Sequence, residues 1–300
     1  MNFLDFLGQL ASLDTNTAAA APRRSALARL GQAGTALLPA LLTTLPAPST
    51  AGTKDNTRLD ALKMLLRFEN LQNTFYARAL GTQPGGPTNP TAFLGSAIND
   101  VRTMQQHQQA HAAQLATLIT NAGSTLDAAP NYDFTGSRNG AQSAQFAGVY
   151  TNLDTFLKVA QVLEDASVRA YKTQATFLQS DNSLLETAIR MHSTEARHAA
   201  QIRTLRRQRG ATVKSWVSTS DVAITTAGTT PDTVYSGEAN ISQYITINNQ
   251  VTRVPFDSTL PINVGTPPLS AAAILAKVAE AFDEPLDTAS AESVLQYFTY

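Results

Sequence analysis

Two segments of this chain, residues 104–115 and 191–202, are copies of one pattern, and this repeat constrains the fold more than any other feature. Each copy begins with methionine and carries a histidine seven residues later, His111 in the first copy and His198 in the second, followed by Ala-Ala-Gln. Glu195 lies three residues before His198, and this spacing places both side chains on one face of a helix. The repeat therefore indicates a duplicated structural unit.

A second pair of matching segments precedes the two copies. Glu69 is followed seven residues later by Tyr76, and Glu164 is followed seven residues later by Tyr171. Seven residues make almost two helical turns, so each glutamate lies on the same helical face as its tyrosine. The sequence therefore predicts two helical hairpins of one kind, in each of which a glutamate-bearing helix is followed by a histidine-bearing helix.

The spacing of apolar residues agrees with this arrangement. It predicts four long helices, over residues 59–80, 93–121, 146–178 and 184–209. A longer connection separates the second helix from the third. We therefore predict a mainly α fold in which residues 56–210 form a four-helix bundle with a long crossover.

Charge gives no reason to expect a nucleic-acid partner, because the formal net charge of the 300 residues is only −1. Four arginines do crowd the end of the fourth predicted helix: Arg203, Arg206, Arg207 and Arg209. We interpret them as cations that complement the negative end of that helix rather than as a binding patch.

The first 55 residues differ from the predicted bundle. Arg23 and Arg24 precede a mildly apolar stretch over residues 30–45, which small residues and prolines follow. This order resembles a twin-arginine export signal and predicts an exported or periplasmic protein. A surface helix with a linker is the alternative, and it would leave the protein in the cytoplasm. No uninterrupted apolar run reaches about 18 residues, so we predict no stable membrane span.

The last segment, residues 211–300, is a C-terminal extension of different composition, rich in Thr, Ser, Val, Ile and Asn. Residues 245–252 read as a β-hairpin with two asparagines at the turn. Residues 271–282 and 289–298 read as short helices. We expect this extension, with its short strands and helices, to pack on the bundle.

The predicted bundle interior carries a set of potential metal ligands. Cysteine is absent from the chain, so a metal site must use histidine and carboxylate. Three buried carboxylates without a counter-charge cost several kcal/mol each unless they protonate or pair, and a bound cation resolves this cost. The candidate ligands on the four inward faces are Glu69, His111, Glu164, Glu195 and His198.

Other side chains offer alternatives to that ligand set. Arg78 or Arg169 could pair with the buried carboxylates, whereas Arg197 points away from the face of Glu195 and His198. His107, four residues before His111, and His192, near Glu195, could each add a nitrogen ligand, although solvent-facing positions are the default for both.

At this point the residues resemble a known family. Residues 156–171 (FLKVAQVLEDASVRAY) and 195–200 (EARHAA) are similar to bacterial ferritin-like domain proteins, a group that includes plant desiccation-related relatives. The resemblance covers roughly residues 57–209. It implies a ferritin-like four-helix bundle with a long crossover. Because the wider superfamily binds two iron or manganese ions, it also implies that the five candidate ligands hold one or two such ions.

The sequence departs from the superfamily pattern at one position. Gln108 stands where the second copy has Glu195, and a neutral amide cannot bridge two cations as a carboxylate does. The resemblance implies an iron or manganese oxidoreductase that acts on oxygen or peroxide, with Tyr76 and Tyr171 as electron donors or as hydrogen-bond partners of the core carboxylates. The alternative is a non-catalytic structural or stress-related bundle that binds a partner. We also consider a homo-oligomer, although the bundle alone implies no ferritin cage.

Overall fold

The computed structural model describes residues 57–218, 220–238, 240, 242–247, 250–255, 270–281 and 284–300. The N-terminal segment 1–55, with its twin arginines, lies outside the described residues, and export therefore stays a prediction. The two asparagines of the predicted hairpin turn, Asn248 and Asn249, also lie outside them. Along the described parts of the chain, no helix is long and apolar enough to cross a membrane.

Four long helices form the bundle that the repeat predicts. They are α1 (Arg58–Ala79), α2 (Ile98–Asn121), α3 (Leu153–Ala175) and α4 (Asn182–Gln208). A five-residue helix, Pro90–Leu94, and a 3₁₀ turn, Gly95–Ala97, lead into α2, and a second 3₁₀ turn, Thr176–Leu178, follows α3.

Side-chain caps explain where α1 and α4 begin. Thr57 and Asp60 form a reciprocal capping box at the start of α1. Asp181 accepts hydrogen bonds from the backbone of Ser183 and Leu184, so α4 begins slightly earlier than the apolar pattern indicated.

The predicted start of the third helix was wrong. Residues 146–152 form turns, because Gly148 has a φ of +77° and Asn152 caps α3 through the backbone N–H of Thr155. Phe146 and Val149 of this segment are buried even so. The apolar spacing thus predicted correctly that these residues are buried. The turn at Gly148 and the cap at Asn152 determine where the helix begins.

The helices pack as two hairpins joined by the long crossover, residues 122–152. Helix α1 packs along α2 and α3, and α3 packs along α4, whereas α2 and α4 touch at few residues. An aromatic cluster fills one end of the bundle, where Phe75 stacks on Phe156 at 4.7 Å between ring centroids and meets Phe134 edge-on at 5.0 Å. The side of the bundle between α2 and α4 is therefore its least closely packed side.

The C-terminal extension contains a 3₁₀ helix, Thr230–Tyr235, two strands, β1 (Ser242–Ile247) and β2 (Gln250–Pro255), and two helices, α5 (Ala271–Ala281) and α6 (Thr288–Tyr297). The strands pair with each other in a two-stranded sheet, where the sequence predicts a hairpin. The end of the chain contacts the bundle and the crossover: Glu292 forms a paired ion contact with Arg67, and Thr299 forms a β-bridge with Tyr132.

The arginines at the end of α4 do not all behave as predicted. Arg203 is 1% exposed, and its guanidinium lies 2.6 Å from Asp165 of α3 and 2.7 Å from Asp221 of the extension. Arg206 is buried too and donates to Gln161. These two side chains therefore tie helices and extension together, rather than complementing the helix end from the solvent.

Candidate metal centre

All five predicted ligands lie in the interior of the bundle, and each of the four helices supplies at least one. Glu69, Glu164 and Glu195 are fully buried, and the side chains of His198 and His111 are 6% and 14% exposed. The helical faces that the repeat predicts thus converge on one region.

The five side chains form two groups of three that share Glu195. In each group, one ligand atom from every member lies within 4.8 Å of the others. The first group is Glu69, His111 and Glu195. Its histidine Nδ1 lies 3.1 Å from Glu195 Oε1 and 3.4 Å from Glu69 Oε1.

The second group is Glu164, Glu195 and His198. Its histidine Nδ1 lies 3.6 Å from Glu164 Oε2 and 3.7 Å from Glu195 Oε2. The two oxygens of Glu195 therefore face different histidines. This divided orientation is what a carboxylate shared between two cation positions requires.

Two buried tyrosines hold the outer carboxylates. The hydroxyl of Tyr171 donates to Glu69 Oε1, and the hydroxyl of Tyr76 donates to Glu164 Oε1. Both tyrosines are fully buried. Each hydrogen bond joins α1 and α3, so each tyrosine holds the glutamate of the other hairpin in this chain. The predicted role of these hydroxyls as partners of the core carboxylates is confirmed.

The donor atoms fit a divalent transition metal. Among the described residues, Glu69 Oε2, Glu164 Oε2, Glu195 Oε1 and His111 Nδ1 are buried and make no well-aligned hydrogen bond. Two ion contacts reach them instead, Glu195 Oε1 with His111 Nδ1 at 3.1 Å and Glu164 Oε2 with His198 Nδ1 at 3.6 Å. Buried polar atoms without a partner are rare, because each lacks the interaction it had with water. Carboxylate oxygen and imidazole nitrogen are suitable ligands for iron and manganese, and a cation in each group would satisfy these atoms.

Comparison with known families agrees with the geometry. Residues 57–208, just over half of the chain, match the family model of the ferritin-like domain. This chain belongs to the ferritin-like family. The match runs from the capping residue of α1 to the end of α4, so it includes every residue of the two groups. No curated protein matches the chain.

The ferritin-like site neutralises part of its own charge without a metal. Burial alone would raise the pKa of Glu195, but its contacts with His111 and His198 outweigh burial and hold that pKa well below its usual range. Burial lowers the histidine pKa values, but the neighbouring carboxylates raise them to about 9 for His111 and about 10 for His198. Both imidazoles are therefore protonated near neutral pH when no metal is bound.

The outer carboxylates shift in the opposite direction from Glu195. Burial, followed by repulsion from Glu195, raises the pKa of Glu69 to about 8 and that of Glu164 to about 7. Glu69 is thus mostly protonated at neutral pH and Glu164 is partly protonated. A metal ion must displace these protons to bind.

Gln108 stands beside Glu195 in the position where the ferritin-like pattern expects a carboxylate. Its Nε2 lies 2.9 Å from Glu195 Oε2 and 3.4 Å from His198 Nδ1, while its buried Oε1 has no partner among the described residues. Rotating the amide by half a turn exchanges these two atoms. In that orientation the carbonyl oxygen faces the Glu164–Glu195–His198 group as a neutral ligand.

Sequence reasoning missed Gln72, a fully buried residue of α1 whose Nε2 lies 3.4 Å from Glu195 Oε2. The available signal was its spacing, because it follows Glu69 by three residues and so shares the inward face. Together with Gln108, it surrounds the shared carboxylate with neutral amides.

The alternative partners that the sequence allowed do not reach the carboxylates. Arg78 donates to the backbone of Tyr132, and Arg169 contacts Glu238 of the extension. Arg197 is exposed and donates to Thr194, on the face away from the site as expected. Within the described residues, no arginine therefore balances the negative charge of the three buried glutamates. His111 and His198 balance part of it instead.

The two additional histidines also lie outside the ligand groups. His107 is exposed and lies behind His198, with its Nδ1 2.9 Å from His198 Nε2 and the two rings nearly parallel, 5.2 Å apart between centroids. His192 belongs to neither group of three. The structure therefore places neither residue as a direct ligand.

Proposed function

We propose that this ferritin-like protein binds one or two divalent ions, iron or manganese, at the two groups that share Glu195. The position of Glu195 carries the proposal, because its two oxygens face one histidine each. Glu69 and His111 would complete one metal position, and Glu164 and His198 the other. The three carboxylates carry a total charge of −3, whereas two divalent ions carry +4, so the second ion is bound less favourably than the first.

The finer proposal is an oxidoreductase that acts on oxygen or peroxide. Bound iron or manganese would supply the one-electron chemistry that such a reaction needs. The chain's own residues position the ligands: Tyr76 and Tyr171 hold the outer carboxylates through hydrogen bonds. The apolar residues around them exclude water from the α1 and α3 side.

The exposure of the histidines supports a small oxidant as the substrate. The glutamates are fully buried, His111 and His198 are slightly exposed, and His107 is exposed. The exposed fraction of these side chains thus increases toward the side of the bundle between α2 and α4, which is the least closely packed one. A metal ion, oxygen or peroxide would approach from that side.

One observation favours a second candidate, a non-catalytic bundle with a polar core. Gln108 removes one negative charge, and the protonated histidines balance Glu195 without a metal. Such a polar core would be stable without a bound metal and would serve only the structure of the bundle. Oxygen or peroxide consumption by the Fe²⁺-loaded protein separates the two candidates, because the structural bundle should react no faster than free Fe²⁺ in the same buffer.

The first test is metal content, and it includes Gln108→Glu. We expect wild-type protein, stripped and then titrated with Mn²⁺, or with Fe²⁺ without oxygen, to bind between about one and two ions per chain. Gln108→Glu should raise this number toward two, because a fourth carboxylate balances the second ion. Elemental analysis after desalting measures both. Negligible metal in the wild type would refute the proposal, and an unchanged number in the variant would count against the ligand alignment.

Metal binding should strengthen as the pH rises. The histidines, with pKa values of about 9 and 10, and Glu69, with a pKa of about 8, carry protons that the metal displaces. Affinity should therefore increase roughly tenfold per pH unit for each proton released between about pH 6 and pH 8. Calorimetric titrations in two buffers of different ionisation enthalpy count these protons. An affinity that does not change with pH would contradict the assigned ligands.

A further inference from the structure

His107 makes a side-chain contact that the proposed function does not use. Its Nδ1 lies 2.9 Å from Nε2 of His198, and the rings are nearly parallel, with an interplanar angle of 9°. The other nitrogen of His198, Nδ1, faces Glu164 and Glu195. His198 is thus held from behind by one residue while it faces the candidate metal position.

The chemistry of imidazole decides which atom donates in this contact. A histidine that binds a metal through Nδ1 keeps its proton on Nε2. Nε2–H of His198 must then donate to Nδ1 of His107, which accepts, so His107 carries its own proton on Nε2. Such outer partners fix the orientation and the tautomer of a ligand histidine, and they raise its basicity.

The first group has no equivalent contact. Within the described part of the chain, His111 shows no hydrogen bond from its second ring nitrogen to another side chain or to the backbone. The repeat explains this difference, because it aligns His107 with Thr194. Thr194 donates to the backbone carbonyl of Arg190 in its own helix, 3.2 Å away, and so does not support His111.

We propose that His107 is a positioning residue for His198, and that the Glu164–Glu195–His198 group consequently binds the first metal ion. The two metal positions are then unequal despite the repeat. The unpartnered carbonyl oxygen of Gln108 adds to this inequality, because a half-turn of its amide places that oxygen toward the same group. This inference rests on the proposed function, since it orders two positions that must first bind metal.

The test compares His107→Ala, which removes the acceptor, with His107→Asn, whose Oδ1 can accept in place of Nδ1. Gln106→Ala, at the exposed neighbouring position on α2, is the matched control. Each protein is titrated with Mn²⁺ in a calorimeter. Glu164→Gln and Glu69→Gln assign the binding events, because each removes one outer carboxylate and leaves the other group complete.

We expect the tighter event to disappear in Glu164→Gln and to persist in Glu69→Gln. In His107→Ala the tighter event should weaken about 10- to 100-fold, and in His107→Asn it should stay within about threefold of the wild type. The weaker event should be unchanged in both. In the Zn²⁺-loaded wild type, nitrogen-15 NMR should show the proton of His198 on Nε2 as slowly exchanging, and His107→Ala should abolish that protection.

Three results would overturn the inference while leaving metal binding in place. They are equal weakening of both events in His107→Ala, no weakening at all, or loss of the tighter event in Glu69→Gln instead of Glu164→Gln. A wild type that binds no Mn²⁺ would refute the proposed function itself, and the inference would fall with it. The two failures are therefore distinguishable in one set of titrations.

Discussion

Glu195→Gln is expected to lose metal at both positions, although it changes a single atom of the shared side chain. Each position loses the only carboxylate that the two groups have in common. Because leaving a buried charge without its partner costs about 3–5 kcal/mol, we expect affinity to fall on the order of 10²- to 10⁴-fold. Gln at this position keeps the volume of Glu195 and still accepts a hydrogen bond from Gln108, so the core should remain packed.

Elemental analysis and Mn²⁺ titration measure this loss. Glu69→Gln and Glu164→Gln are the matched controls, because each removes a carboxylate that belongs to one group only. Each should lower the number of bound ions by no more than one. If Glu195→Gln and the wild type bind the same number of ions with the same affinity, Glu195 is not a shared ligand and the proposed centre is wrong.

Arg203→Ala is expected to lower the free energy of unfolding by about 3–5 kcal/mol, because it leaves two carboxylates without their cation. Asp165 and Asp221 both contact this guanidinium, and the hydroxyl of Tyr235 lies 3.0 Å from Asp165. The substitution also leaves a cavity at a position that is 1% exposed. The part of the extension around Asp221 should lose its attachment to α4 as a result, whereas the contacts of Arg169 should keep the rest of the extension on α3.

Urea unfolding followed by circular dichroism measures the change, and limited proteolysis reports whether the extension after residue 211 becomes accessible. Arg207→Ala is the matched control, since this arginine is partly exposed and, among the described residues, makes its one side-chain hydrogen bond to Thr204 of its own helix, 2.8 Å away. We expect that control to change stability by no more than about 0.5 kcal/mol. Equal stability of Arg203→Ala and Arg207→Ala would mean that the buried charge cluster does not stabilise the fold.

The spacing of residues along the sequence was sufficient to predict the four-helix bundle and to name the five candidate ligands. The seven-residue spacing of Glu69 and Tyr76, and the three-residue spacing of Glu195 and His198, each define one face of a helix. An amphipathic helix buries its apolar face, so polar groups on that face must meet in the interior. This is why the five candidate ligands could be named before their distances were known.

The periodic patterns did not predict where the third helix begins or which side chains contact each other across the bundle. The third helix begins at Leu153 because of the turn at Gly148 and the cap at Asn152, neither of which changes the apolar spacing. The contact of Gln72 with Glu195 and that of His107 with His198 were not predicted, because a spacing identifies a helical face but not the atom that a side chain meets across the bundle.

The sequence by itself thus determined that two like hairpins form, and that acids and imidazoles lie on their inward faces, because helical periodicity is a local property. Only the tertiary structure decided that the tyrosines bond crosswise, that His107 lies behind His198, and that Arg203 joins the bundle to the extension. These are contacts between residues distant in the chain, and the packing of whole helices sets them.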